Sequence, residues 1–239
     1  MKNLLLTTIC SLAITGVAFA QGTVNWATPA NAITAQTNAV AYSPLFGGGA
    51  AGGTQGATDF GGTTSGGTSD FYFALLYMPT TGTSFGTALS VGNFASWSFT
   101  GLMATNNASG TAGRLNPVAP NTGATVPWSN GTTNNIVLVG WSANLGTSWL
   151  SVSNELAGFF LTGQSTIADA YFGVSTVGYI NPGTVNPGVS PFGTSAQSYG
   201  LPINSLNTQL YLLPVPEPTT LALAGLGGLT LLAFRRRKA

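Results

Sequence analysis

The sequence predicts a mainly β exported domain: an antiparallel β-sandwich or jelly-roll-like fold with one short helix, flanked by an N-terminal signal peptide and a C-terminal transmembrane helix. Three observations carry this. Short runs rich in aromatic and β-branched residues recur between long stretches of Gly, Thr, Asn and Pro. Only one segment shows helical spacing. Apolar runs of the kind used for export and membrane insertion stand at both ends.

The first 20 residues read as a signal peptide. Met1-Lys2-Asn3 is a positive start, Leu4 to Val17 is mostly apolar, and Ala18-Phe19-Ala20 is a small-x-small cleavage site, with Ala18 and Ala20 as the recognised positions. Gly22 to Trp26 alternates and reads as a first strand. Gly47 to Gly67 holds ten glycines in 21 residues, a density that reads as a flexible surface loop. Asp70 to Met78 is the strongest strand, apolar nearly throughout and closed by Pro79, so a central position buried on much of both faces is expected. Ala88 to Thr100 alternates with a parity shift at Gly92-Asn93, which predicts a bulge or turn.

Asn106 to Asn134 reads as loops with one weak edge strand, and Ile136 to Trp141 as a second firm strand. Trp149, Val152, Leu156 and Phe159 recur at helical spacing, with Ser148 as a cap, so 148–161 is the one helix. Ala170 to Tyr179 and Gln209 to Leu213 complete the strands. The exported domain is therefore expected over 21–213, followed by a sorting segment over 214–239.

Composition excludes several kinds of chemistry. The chain has no His, and its one Cys, Cys10, lies within the signal peptide. Ser-His-Asp, Cys-His and His-based metal sites are thereby excluded, as are disulfides in the mature chain. The body carries Asp59, Asp70, Glu155 and Asp169 against Arg114 alone, a net of −3. A single basic residue gives no footing for nucleic acid. Carboxylate pairs are the one catalytic arrangement left, and turn or strand-edge roles account for these acids more simply. No catalytic residue, cofactor or metal is expected. Among the tryptophans, Trp128 stands between Pro127 and Ser129 in a polar stretch, which makes it the candidate surface ring for contact with a glycan. Ser142-Ala-Asn-Leu-Gly-Thr-Ser-Trp149 resembles the Asp-box of carbohydrate-active propellers, S-x-D-x-G-x-T-W, with Asn144 in place of the Asp and Ser148 in place of the Thr. It occurs once, and an Asn-Leu-Gly turn explains it more simply.

The tail has three parts in order: Pro216-Glu217-Pro218, an uncharged run from Thr219 to Phe234, and Arg235-Arg236-Arg237-Lys238. The prolines stop a helix from running in, and Pro218 can open a new one. Sixteen residues give about 24 Å of helix, somewhat short of the ~30 Å hydrocarbon core. The basic cluster keeps the end cytoplasmic, with the body outside. Together the three parts resemble the PEP-CTERM sorting signal of Gram-negative bacteria. The resemblance implies recognition by the membrane enzyme exosortase, cutting near Pro216-Glu217-Pro218, an inner-membrane precursor, and delivery to the cell envelope or extracellular matrix. The expected role is a non-enzymatic structural or adhesive one, with exopolysaccharide as a partner. The alternatives are a carbohydrate-binding module using loop aromatics and, third, a glycan-active enzyme using a carboxylate pair.

Overall fold

The computed structural model describes residues 21–26, 33–53, 70–80, 82, 84–106, 115–162, 165–204 and 208–215. The expected signal peptide with Ala18 and Ala20, residues 54–67 of the Gly-rich segment with Asp59, Arg114, Pro216-Glu217-Pro218, the apolar run and Arg235 to Lys238 lie outside that set. Among the described residues, no helix is long and apolar enough to cross a membrane.

Among the described residues, eleven strands and one α-helix follow one another: β1 (Gly22–Val24), β2 (Ala35–Tyr42), β3 (Phe71–Pro79), β4 (Ser98–Asn106), β5 (Leu115–Pro117), β6 (Ala124–Val126), β7 (Asn134–Ser142), α1 (Trp149–Thr162), β8 (Tyr171–Val174), β9 (Gly178–Ile180), β10 (Gly200–Leu201) and β11 (Thr208–Leu212). The described part of the protein is mainly β, with one short helix against a curled sheet. Nine strands form that sheet in the order β2-β11-β8-β7-β3-β4-β5, with β9 on the far end of β7 and β10 beyond it. β1 and β6 pair separately.

The sheet centres on β7, buried at all nine positions, and on β3, buried from Phe73 to Leu76. Alternation sends their side chains to two cores. Phe73, Leu75, Ile136 and Leu138 join Val24, Trp26, Ala124, Val126 and Trp128 on one face. Ala74, Leu76, Val137, Val139 and Trp141 meet Trp149, Val152, Leu156 and Phe159 of α1 on the other. Gly140 of β7 lies opposite Gly173 of β8. A Cβ on Gly140 would stand 2.6 Å from the Phe73 ring, and one on Gly173 would overlap the Gln209 carbonyl. The glycines let β8 and β11 close onto the centre.

This differs from an antiparallel sandwich in two respects. There is one large sheet covered on both faces, and β11 pairs with β2 in parallel. The reason lies in the central strands. A sandwich strand shows one face to solvent and alternates, whereas Phe73 to Leu76 and all of β7 are apolar or buried on both faces, so each face needs its own cover.

Other departures are local. The parity shift at Gly92-Asn93 is a 3-10 helix over Val91–Ser96, closed by a capping box in which Ser90 N donates to Asn93 Oδ1 at 2.8 Å. The 106–134 stretch carries two short strands, β5 and β6. The 170–179 strand breaks in two at Ser175, whose N donates to Leu138 O at 2.8 Å and whose Oγ accepts from Leu138 N at 2.9 Å. The hydroxyl thus fills the place of a missing backbone carbonyl in the ladder. The described start of the Gly-rich segment is not loop alone. Gly49 O accepts from Tyr42 N, Ala51 N donates to Val40 O and Gly53 N to Ala39 O, so residues 49–53 cover the outer edge of β2.

The helix matches its sequence pattern: Val152, Leu156 and Phe159 are buried, and Ser148 Oγ accepts from Ser151 N at 3.3 Å. Leu156→Ala should therefore cost about 2–5 kcal/mol, whereas Leu161→Ala, at a residue 90% exposed, should stay within about 0.5 kcal/mol. Urea denaturation of both variants checks this.

Candidate functional site

Trp128 is not at the surface. It is 6% exposed, packs within the core that faces β1 and β6, and stacks on Tyr77 with ring centroids 5.0 Å apart and planes at 27°. The physical reason is parity. Ala124, Val126 and Trp128 point inward while Thr125 and Pro127 point out, so the two-residue period of β6 carries one step into the loop. The neighbours of Trp128 in sequence suggested a loop, but the period placed the ring inside. The other four tryptophans are also core residues: Trp26, Trp97, Trp141 and Trp149. Three of their indole N–H groups donate within the fold, Trp26 to Met103 O, Trp97 to Asn93 Oδ1 and Trp141 to Gly146 O.

The Asp-box-like stretch is a structural corner. After β7 the chain makes a 3-10 turn over Ala143–Leu145. Ser142 Oγ donates to Asn144 Oδ1 at 2.6 Å and accepts from Tyr171 N at 2.8 Å. Asn144 Nδ2 reaches the carbonyls of Ala168 and Asp169 at 3.0 and 3.2 Å. These bonds tie the end of β7 to the start of β8. An Asn serves where the pattern has Asp because the amide supplies the donor that two carbonyls require.

The carboxylates fall into similar roles. Asp70 is exposed where β3 begins, and its carbonyl accepts from Ala143 N at 2.8 Å. Asp169 takes a positive φ of 53° in the turn before β8. Its negative charge adds to burial in raising the Tyr171 hydroxyl above its ordinary pKa. Glu155 Oε1 accepts from Thr166 Oγ1 at 3.1 Å, tying α1 to the segment that follows it. Among the described residues, no group of three or more His, Cys, Asp or Glu could hold a metal ion.

The arrangement with most to offer a ligand lies elsewhere, at the edge where β9 and β10 end the sheet. A cleft of about 310 Å³ opens there between the 84–86 loop, β9 and a hairpin over 196–200. Phe85 is 41% exposed and stacks on Tyr179, centroids 4.9 Å apart and planes at 22°. Asn181, Gln197, Ser198 and Tyr199 also line the cleft. Tyr199 is half-buried, and that burial raises its hydroxyl pKa against the lowering effect of a backbone hydrogen bond at Ser190. A second hollow, of about 360 Å³, opens between Pro44, Leu45, Leu89, Val174 and Tyr211.

Residues 214–238 match the PEP-CTERM protein-sorting motif, the exosortase-substrate signature. The chain thus carries the mark of an exported protein sorted to the cell envelope by a membrane-associated exosortase. No curated protein and no solved structure matches the chain.

If Trp128 is core packing, Trp128→Ala should lower stability by about 3–5 kcal/mol. Trp128→Phe should recover part of that loss. Thermal and urea melts of the two variants distinguish a core ring from a surface one, whose removal would leave stability nearly unchanged.

Proposed function

We propose that the 21–213 domain is a non-enzymatic structural or adhesive component of the envelope or exopolysaccharide matrix, delivered there by its sorting tail. The sorting motif at 214–238 is the observation that carries this reading. On this reading the precursor is held transiently in the inner membrane by the apolar run and Arg235 to Lys238. Exosortase acts near Pro216-Glu217-Pro218, and signal peptidase acts after Ala20.

The build of the domain supports a role without turnover. Its fold relies on burial and on neutral hydrogen bonds, with no thiol in the mature sequence for an oxidising compartment to modify. The three described carboxylates have structural partners or stand exposed at turns. A body of low charge also favours association, which suits a matrix constituent.

The sorting claim is tested by Glu217→Ala in the native cell. The wild-type protein should leave the inner membrane with its tail removed. The variant should accumulate in the membrane fraction at precursor size. Processing and release of the variant at the wild-type rate would remove the sorting reading.

A further inference from the structure

We propose that the cleft between Phe85, Tyr179, Asn181 and Gln197 binds neutral pyranose residues of a polysaccharide chain. The proposal deepens the adhesive reading and rests on it for the source of the glycan.

Stacking on Tyr179 holds the partly exposed Phe85 ring in one orientation. Phe85 belongs to an irregular segment, yet the next residue is clipped down: Gly86 N donates to Asn135 Oδ1 at 2.8 Å. Asn135 is 0% exposed and lies directly opposite Tyr179 in the β7–β9 register. The strand row that carries Tyr179 therefore also holds the loop that places Phe85 over it. Asn135 Nδ2 has no partner among the described residues, and Asn135 itself does not line the cleft.

The opposite wall is held as firmly. Gln197 N donates to Gly200 O at 2.7 Å and Gly200 N to Gln197 O at 3.0 Å, a tight hairpin with Ser198 and Tyr199 at its tip. Gly200 has φ +134°, and a Cβ there would overlap the Tyr179 carbonyl, so glycine lets the hairpin close against β9. Asn181 N donates to Tyr199 O at 2.8 Å.

The free polar groups come in complementary kinds. Asn181 Oδ1 accepts from Gly131 N at 2.7 Å, which leaves its Nδ2 as donor. Gln197 Nε2 donates to Ser195, which leaves its Oε1 as acceptor. A sugar hydroxyl both donates and accepts, and vicinal hydroxyls meet such a pair well. The apolar C–H face of a pyranose stacks on a flat ring. Among the described residues, no charged side chain lines the cleft, since Asp70, Glu155 and Asp169 all lie elsewhere, which suits a neutral ligand. A nucleotide would stack but would find no cation for its phosphates among the described residues. The cleft volume stands at the small end for ligand sites of ~300–1,000 Å³, which fits a few units of a chain that continues into solvent.

The test is affinity electrophoresis of the mature protein through gels containing dextran, galactomannan or hydroxyethylcellulose, with alginate as the anionic counterpart. At least one neutral glycan should retard the wild-type protein. Phe85→Ala should weaken that binding about tenfold, the scale of one lost stacking contact. Gln197→Ala should weaken it less, Phe85→Tyr should restore it, and Leu161→Ala should match the wild type. Since Phe85 is exposed, its variants should melt with the wild type, and Gln197→Ala decides the matter if they do not. Retardation by no neutral glycan, retardation by alginate alone, or wild-type binding by Phe85→Ala and Gln197→Ala would overturn the proposal. Glu217→Ala precursor, compared in the same gels, should bind as the wild type does, so a failure of binding and a failure of sorting are read separately.

Discussion

The fold depends on two neighbouring strands being buried on both faces. β3 and β7 run antiparallel in unbroken register from Phe71 opposite Ser142 to Pro79 opposite Asn134. Each large apolar side chain taken fully from water contributes roughly 1.5–3 kcal/mol, and these strands deliver such side chains alternately to two cores. Everything else is placed by the need to cover those faces. α1 covers one; β1, β6 and the segment carrying Phe192 and Ile203 cover the other. Without disulfides in the mature chain and with few charges, the domain has little else to hold it together.

Polar side chains then do the fine positioning, and they do it with neutral groups. Asn38 caps a turn within β2, Asn93 closes the 3-10 helix, Asn106 accepts from Phe71 N, Asn144 ties β7 to β8, and Ser175 completes the ladder where β8 ends. Each is a side chain replacing a backbone group that the irregular path removed. The abundance of Asn, Ser and Thr that reads as mere loop composition is thus partly structural. The same clipping keeps the Phe85–Tyr179 pair in one geometry, which matters for a site that would gain affinity by being already formed.

Much of this was legible locally. The period-2 and helical patterns give β3, β7 and α1 because burial acts on the residues within each element. What could not be read was arrangement. Nothing local in Gln209 to Leu213 says that it will run parallel to Ala35 to Tyr42, since a pairing between segments about 170 residues apart leaves no mark in either. Trp128 was misplaced because its polar neighbours outweighed the inward step that follows Val126. The cleft was invisible for a related reason: Phe85, Tyr179 and Gln197 lie in separate segments, and only the β7–β9 register and the Asn135–Gly86 bond bring the first two together. The double burial of β3 was legible, and carried to its end it already argued against a two-layer sandwich.

The tail and the body meet abruptly. Leu213 is buried against the α1 side of the sheet, and Pro214 O accepts from Ser165 N at 2.7 Å, so the folded domain reaches the start of the sorting motif. Loss of the tail would remove four of the chain's six basic residues, and loss of the expected signal peptide a fifth. The product would be a mildly acidic β domain. The most direct measurement is the intact mass of the protein recovered from the envelope or extracellular fraction of its own cells. The account predicts a chain that begins at Gln21 and ends near Pro216-Glu217-Pro218. A full-length chain of 239 residues in that fraction, or a protein found only inside the cell, would contradict it.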